Sequence, residues 1–328
     1  MKKALLYKWV LLMLFLLIVI VVLFFFIQPS QQKKTEVHKN EDSTWIAPSL
    51  DNEATLTSSE KEELKYGREL IIQTAKYFGP QGIISKSSNG MNCQNCHLDA
   101  GTRAWGNSFG AVYSTYPKFR ARSGSIETVY RRIYDCFERS MNGVPPDTAS
   151  KEIKAMHAYL IWLGKDVPKG KRPYSTGLNN LPLLNRAADT AKGRTVFVSI
   201  CQPCHGTNGE GQMNLTKPGY RYPPLWGKNS YNDGAGLYRL SAFADFVYNN
   251  MPYNRSSHKH PILTIEKAWD VAAFVNSQPR PHKNADDDYK DLTKKPFDHP
   301  FGPYADTFSQ RQHKYGPYHP IIAANKKK

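Results

Sequence analysis

The motif Cys-x-x-Cys-His occurs twice in this chain of 328 residues, at 93–97 and again at 201–205. This spacing is the attachment signature of a c-type haem, whose porphyrin is bound by the two thiols and whose iron is bound by the adjoining histidine. A zinc ribbon also uses paired Cys-x-x-Cys, but it gives no reason for a histidine directly after each pair. The motifs therefore predict two covalently bound haem c groups, attached through Cys93, Cys96, Cys201 and Cys204, with His97 and His205 as iron ligands.

Helical patterns flank both motifs and predict a mainly α chain. Ser59 and Glu62 fit a capping box, and Gly67 lies in the apolar stripe of the helix that they begin, where it lets another helix cross closely. The stretch 101–123 is typical of a loop. The second half repeats this plan, with helices expected at 187–198, 241–250 and 264–277.

This pattern predicts two cytochrome c-type haem domains joined by a linker, with an N-terminal transmembrane helix and an irregular C-terminal wrap. We expect an anchor at 1–30, a tether at 31–57, a first haem domain at 58–166, a linker at 167–182, a second haem domain at 183–280, and a C-terminal extension at 281–328.

The N-terminal stretch predicts a membrane anchor. Basic residues precede an uninterrupted apolar run at 10–27, which as a helix is about 27 Å long and close to the thickness of the hydrocarbon core. The run ends without the small residues of a signal-peptide cleavage site, which favours an anchor that is not removed. Since c-type haem attachment happens outside the cytoplasm, the body is expected on the periplasmic side of the cytoplasmic membrane.

The formal net charge is +16. A positive field suits an anionic substrate and acidic redox partners. Because no nucleic-acid-binding motif accompanies the charge, we expect no nucleic-acid partner.

Cys136 is the fifth thiol of the chain. Four thiols are assigned to haem, and an unpaired thiol outside the cytoplasm tends to oxidise. On composition alone two interpretations stay open. Cys136 is either a small buried core residue, the common fate of a free cysteine, or a thiolate ligand to the first haem iron.

A helix is predicted at 125–142, with Ser125 as its N-cap. Arg132, Cys136 and Ser140 recur every four residues and therefore share one face of this helix. Arg122 lies just before the cap. Two arginines and a hydroxyl around a thiolate would form a pocket for a small oxyanion; the alternative is an ordinary solvated helix face.

Three stretches resemble the dihaem thiosulfate dehydrogenases: 122–143, 270–276 and 301–306. The resemblance extends over about 60–322, and its most specific part is the run Cys-Phe-Glu-Arg-Ser-Met-Asn-Gly at 136–143. It implies that two thiosulfates are oxidised to tetrathionate, with electrons leaving one at a time, and that some members run the reaction in reverse. It also implies His/Cys ligation of a catalytic first haem, with Arg122, Arg132 and Ser140 lining the substrate pocket.

Met251 is the expected sixth ligand of the second iron, because it precedes Pro252 as cytochrome c ligands commonly do; Met213 is the alternative. A thioether ligand raises the reduction potential, which suits an electron exit. Some members of the resembling family carry a lysine directly before this methionine that can exchange with it. This chain has Asn250 there, which has no amine to offer.

The expected function is thiosulfate oxidation, with a cytochrome c or another periplasmic redox partner as electron acceptor. One alternative is a membrane-tethered dihaem cytochrome c that carries electrons without a substrate of its own; such a carrier predicts methionine ligation at both irons. Another is a different dihaem enzyme, such as a peroxidase or a subunit of the Sox thiosulfate-oxidising system.

Overall fold

The computed structural model describes residues 45–52 and 54–326. The anchor expected at 1–30 and most of the tether at 31–57 lie outside these residues. Within the described ranges, none of the helices combines the length and the apolar character needed to cross a bilayer.

The described residues are mainly helical, as predicted. The α-helices are α1 (Ser58–Ile72), α2 (Thr74–Phe78), α3 (Leu98–Gly101), α4 (Val112–Thr115), α5 (Val129–Asp135), α6 (Lys151–Leu163), α7 (Thr190–Val196), α8 (Gln202–His205), α9 (Leu240–Asn250), α10 (Ile265–Ser277), α11 (Gln310–Tyr315) and α12 (His319–Asn325). Cys136–Ser140 and Phe197–Cys201 form π-helical turns, and Leu50–Asn52, Cys93–Asn95, Gly236–Tyr238 and Leu292–Lys294 form 3₁₀ turns. Two short antiparallel hairpins complete the fold, β1 (Lys118–Arg120) with β2 (Ser125–Glu127) and β3 (Gln212–Met213) with β4 (Tyr220–Tyr222).

The first half is organised around the crossing of α1 and α6. A Cβ atom on Gly67 would overlap the carbonyl oxygen of Ala155, so the predicted close crossing at this glycine is confirmed. The helix begins two residues earlier than expected: Thr57, not Ser59, is the N-cap, and it forms the capping box with Glu60. Sequence spacing alone allowed both pairs, because each has an acidic residue three positions after a hydroxyl.

The second half has an equivalent crossing between α7 and α10, where Gly193 lies against the carbonyl oxygen of Asp270. Arg186 binds both carboxylate oxygens of this aspartate, with N–O distances of 2.7 and 2.8 Å. The helices expected at 187–198, 241–250 and 264–277 are confirmed as α7, α9 and α10, with ends that differ by a few residues.

Each half has its own apolar core, and each core takes one side chain from the other half. Leu98, directly after the first haem motif, packs in the core of the second half. Tyr220 on β4 packs in the core of the first half. The two halves therefore meet through buried side chains close to the first motif.

The C-terminal extension is more regular than the wrap that we expected. It contains α11 and α12, and Ser309 caps α11 by accepting a hydrogen bond from the amide of Gln312. Tyr318 and Ile321 are buried in the core of the second half. The high proline and tyrosine content had suggested irregular chain; here Pro320 lies in the first turn of α12, where it is compatible with a helix.

Candidate functional site

The first Cys-x-x-Cys-His motif faces an internal cavity. Cys93, Cys96 and His97 line it together with Cys136. Apolar side chains of α1, α5 and α6 also line it: Ile71, Ile133, Met156 and Leu160. The structure therefore brings the fifth thiol, which is 40 residues away in the chain, to the same space as the haem-attachment motif.

The imidazole of His97 is oriented by the loop that follows it. Its Nδ1 lies 2.6 Å from the carbonyl oxygen of Asn107, and the amide of Asn107 in turn donates to Gly177 O in the linker at 2.9 Å. Burial lowers the pKa of His97 to about 4, so the ring is neutral. A neutral ring that donates from Nδ1 leaves Nε2 available to bind a metal. These hydrogen bonds orient the imidazole of His97 as an axial haem ligand requires.

Cys136 lies where the helix that carries it widens. The helix begins at Val129 with Thr128 as its cap, and Thr128 Oγ1 accepts from the amide of Arg131 at 3.3 Å. Ser125, which we predicted as the cap, instead pairs with Arg120 across the β1–β2 hairpin. The prediction was wrong because Ser125 is the first residue of β2, three residues before the residue that caps the helix. After Asp135 the turn becomes π-helical, a feature often found at functional sites.

Two of the three predicted substrate-pocket residues line the cavity beside Cys136: Arg132 and Ser140. The Cys136 sulfur is the main factor that raises the pKa of Arg132, so the guanidinium is cationic at every physiological pH. The shared face expected from the four-residue spacing is retained even though the turn widens.

Arg122 is not among the side chains that line this cavity. Its Nε lies 3.8 Å from Asp288 Oδ2 in the C-terminal extension. Its carbonyl oxygen accepts from the amide of Tyr289 at 2.7 Å. The expected arginine pair is therefore not assembled here, because a carboxylate from 166 positions further along the chain binds one member. A direct role of Arg122 in substrate binding stays a prediction.

Three cations that sequence reasoning did not select line the same cavity: Lys118, Arg120 and Arg172. Lys118 and Arg120 alternate along β1 and therefore share one face of the hairpin, while Arg172 comes from the linker. The stretch 101–123 was expected to be loop, so this alternation carried no meaning without the strand. The Lys-x-Arg spacing was the only available signal.

Two methionines lie where they could bind the first haem iron in place of Cys136. Met141 and Met156 both line the cavity and are 2% and 1% exposed. His157, whose imidazole is a third possible iron ligand on α6, does not line the cavity and stacks on the ring of Tyr130 at a centroid distance of 4.1 Å. Ligation of the first iron by Cys136 therefore stays a prediction, and it competes with two thioethers.

The second motif is arranged like the first. His205 Nδ1 lies 2.8 Å from the carbonyl oxygen of Pro223, and burial lowers the pKa of this imidazole. Cys201 and Met251 pack against the same apolar core, whereas Met213 is 55% exposed on β3. Of the two candidate sixth ligands, Met251 therefore contacts the core that Cys201 also contacts, and Met213 does not.

Asn250, directly before Met251, is fully buried and holds the two halves together. Its Nδ2 donates to the carbonyl oxygens of Trp105 and Phe246 at 2.9 and 3.0 Å. Trp105 belongs to the loop that follows the first motif. The residue at this position is therefore a structural link between the halves.

Two protein families match the chain. Residues 84–168 match the SoxA/TsdA cytochrome c domain, and residues 190–279 match the Cytochrome c domain. Thiosulfate dehydrogenase of Stutzerimonas stutzeri (strain A1501) is 36% identical over 220 residues, which cover 67% of this chain and 68% of the relative. The chain belongs to the thiosulfate dehydrogenase family.

Other members of the thiosulfate dehydrogenase family are similarly close. The protein of Allochromatium vinosum is 35% identical and is matched over 65% of this chain and 79% of its own length. A solved thiosulfate dehydrogenase (TsdBA) from Marichromatium purpuratum, in its "as isolated" form, superposes with a TM-score of 0.65 and 31% identity. That match covers 73% of this chain and 50% of the solved chain.

Cytochrome c domains bind haem c covalently, and the donors found here fit that cofactor. Each motif offers two thiols and a neutral imidazole whose Nδ1 faces a carbonyl oxygen. Burial raises the pKa of Cys93 and Cys96 to about 12, as expected for an apolar crevice that suits a porphyrin. The membership in this family therefore agrees with the chemistry of both motifs.

Proposed function

We propose that this protein is a thiosulfate dehydrogenase that joins two thiosulfates into tetrathionate and passes two electrons, one at a time, through two c-type haems to an external acceptor. The observation that carries the proposal is one cavity that combines the first haem motif, the extra thiol Cys136, and the anion-binding side chains Arg132 and Ser140. The thiosulfate dehydrogenases to which the chain is 35–37% identical support it.

Each side chain of the cavity has a defined part in this proposal. Arg132 pairs with a sulfonate of the substrate, and Ser140 donates a hydrogen bond to it. His97 and Cys136 would hold the first haem, and His205 and Met251 the second. When bound, the haems supply the one-electron chemistry. The protein supplies position and positive charge.

Cys136→Gly tests this proposal. The variant should retain both haems, because the attachment motifs are intact, and should lose tetrathionate formation by at least about 100-fold. Turnover is measured with thiosulfate and ferricyanide, haem content by absorbance of the pyridine complex, and thiolate ligation by EPR of the oxidised protein.

Met141→Leu is the matched control, since it changes a competing sulfur on the same cavity wall. It should retain turnover and the thiolate EPR signal. Full turnover in Cys136→Gly, or loss of activity in Met141→Leu alone, would refute the assignment of Cys136.

We also propose the cellular setting. The body lies on the periplasmic side, residues 1–30 anchor it to the cytoplasmic membrane, and a cytochrome c or a similar redox protein accepts the electrons. Two haem-attachment motifs and the apolar run at 10–27 support this. The domain limits 58–166, 167–182 and 183–280 are part of the same proposal. Fractionation of cells that express the full chain tests the membrane location and the periplasmic side. Recovery in the soluble cytoplasmic fraction would contradict both.

A further inference from the structure

The turn that carries Met251 lies against the loop that follows the first haem motif. Met251 comes directly after α9, which ends at Asn250. Side chains before and after Met251 form hydrogen bonds with residues 99–105 of the other half. The proposed sixth ligand of the second iron is therefore held in part by the half that contains the first motif.

One of these contacts is buried. Asn250 Nδ2 donates to Trp105 O at 2.9 Å, and the two residues are 1% and 8% exposed. The amide of Trp105 donates in turn to Ser175 O in the linker, also at 2.9 Å. Because a buried hydrogen bond is costly to break without a replacement, the chain directly before Met251 is fixed to a loop that is itself fixed to the linker.

The other contacts form a network at the surface. Tyr253 Oη donates to Asp99 Oδ1 at 2.7 Å, and Asp99 Oδ2 accepts from Arg103 Nε at 2.7 Å. Arg103 Nη2 donates to Asn254 Oδ1 at 3.0 Å, and its guanidinium lies over the Tyr253 ring, 4.5 Å from the centroid. Burial and the hydrogen bond to Asp99 raise the pKa of Tyr253, so the phenol is protonated and donates. The second and third residues after Met251 are thus bound by two side chains of the first half.

The loop of the first half is fixed in an unusual conformation. Asp99, Ala100, Trp105 and Asn107 have φ angles of 55°, 58°, 54° and 57°. Such angles are uncommon for residues with a side chain and persist only where the surrounding structure holds them. Asn107 also orients His97 through its carbonyl oxygen. One constrained loop therefore orients the histidine of the first motif and contacts the turn that carries the methionine of the second half.

The second iron needs a firmly held methionine. A thioether ligand raises the reduction potential of a haem, which suits the electron exit. A surface turn opens more easily than a packed helix does, and a ligand that leaves the iron with its turn no longer sets the potential. Contacts that keep the turn closed therefore keep the electron exit in its high-potential state.

We propose that these contacts form a clamp that keeps the Met251 thioether on the second iron. The Met251 clamp consists of Asp99, Arg103 and Trp105 in the first half and Asn250, Tyr253 and Asn254 in the second. They are positioning residues, since none of them is proposed to bind an iron. The inference rests on the proposed ligation of the second iron by Met251, and it makes the potential of the electron exit depend on the half that binds substrate.

Exogenous imidazole tests the clamp, because it binds to the second iron only after Met251 has left. The oxidised full chain with its haems is titrated with imidazole, and the loss of the absorption band that methionine ligation gives a ferric haem is followed. Asn250→Ala should lower the imidazole concentration at half-loss about tenfold. Tyr253→Phe removes one hydroxyl from an exposed contact and should lower it about threefold. This milder variant keeps the test valid if Asn250→Ala fails to fold.

Tyr66→Phe is the matched control. Tyr66 Oη donates to Glu152 Oε1 at 2.9 Å between α1 and α6, so this variant loses the same kind of hydrogen bond on helices that do not carry the clamp. It should lose about as much stability in thermal unfolding as Tyr253→Phe and keep the imidazole midpoint of the unmodified protein. A general loss of stability is thereby separated from a loss of the clamp.

Unchanged imidazole midpoints in Asn250→Ala and Tyr253→Phe, or an equal change in Tyr66→Phe, would overturn the clamp. An unmodified ferric protein without the methionine band would overturn both the ligation by Met251 and the clamp. Failure of the unmodified protein to form tetrathionate would instead overturn the proposed function. Because the titration is made without turnover, the failures are distinguishable.

Discussion

At the scale of single residues, burial changes the acidity of a carboxyl group in the second half. Asp245 on α9 is 5% exposed, and its Oδ1 accepts from the amide of Leu181 at 2.8 Å. Burial, with a smaller contribution from the charge of Asp298, raises the pKa of this carboxyl to about 7, although the hydrogen bond from Leu181 and the charge of Arg239 both act to lower it. The buried surroundings of Asp245 thus favour its protonated, neutral form over the carboxylate.

Asp245 makes the stability of the folded state depend on pH. The folded state binds the proton of Asp245 more tightly than the unfolded chain does. The contribution of this residue to the free energy of unfolding therefore falls as pH rises from about 4 to about 7. Asp245→Asn keeps an acceptor for Leu181 and removes the charge.

We expect Asp245→Asn to raise the free energy of unfolding at pH 8 by about 1–3 kcal/mol and to leave it nearly unchanged at pH 4. Urea unfolding at several pH values measures both. Asp286→Asn, at an exposed position, is the control and should show no such pH dependence. A gain that is equal at both pH values would contradict the assignment to Asp245.

At the scale of elements, two helix crossings with the same design define the two halves. Gly67 meets the backbone of Ala155 on α6, and Gly193 meets the backbone of Asp270 on α10. In both, a backbone carbonyl occupies the space of the missing Cβ. A rigid backbone cannot yield as a flexible side chain would, so the helices must move apart if the glycine is replaced.

Gly67→Ala and Gly193→Ala should each lower the free energy of unfolding by about 1–3 kcal/mol or more, although alanine favours a helix over glycine by about 1 kcal/mol. Gly236→Ala is the control, because open space surrounds a Cβ atom at that position. Thermal unfolding measures all three. A stabilising effect at Gly67 or Gly193 would show that propensity outweighs the crossing.

At the scale of the whole molecule, the C-terminal extension and the second half hold the turn that carries Cys136. Arg139 in that turn binds both carboxylate oxygens of Asp288, at 2.9 and 2.8 Å, and the two side chains are 7% and 12% exposed. The amide of Asn232 donates to Arg139 O at 3.0 Å, and Asn232 Nδ2 donates to Glu138 O at 2.8 Å. The first cavity is therefore supported by segments that are 90 residues or more away in sequence.

Asp288→Ala should lower the free energy of unfolding by about 3–5 kcal/mol, because it leaves the buried Arg139 guanidinium without its carboxylate. Asp287→Ala is the control, since that neighbouring side chain is 96% exposed. Thermal unfolding of both variants, each with its haems attached, is the measurement. Equal melting temperatures would show that the extension does not support the turn.

Local spacing predicted much of this protein. The two Cys-x-x-Cys-His motifs, the close crossing at Gly67 and the shared face of Arg132, Cys136 and Ser140 all depend on residues within a few turns of chain, whose geometry the backbone constrains. The mainly α class and the presence of two cytochrome c domains followed from the same patterns.

Tertiary structure alone decided which charges meet in the first cavity. Lys118 and Arg120 face it because a short hairpin forms, Arg172 reaches it from the linker, and Arg122 is taken by Asp288 from the C-terminal extension. These are pairings between distant segments, and a one-dimensional pattern does not encode them. Sequence determined the haem-binding chemistry of each half, and long-range packing determined the distribution of positive charge around it, because electrostatic interaction depends on distance in space and not on separation along the chain.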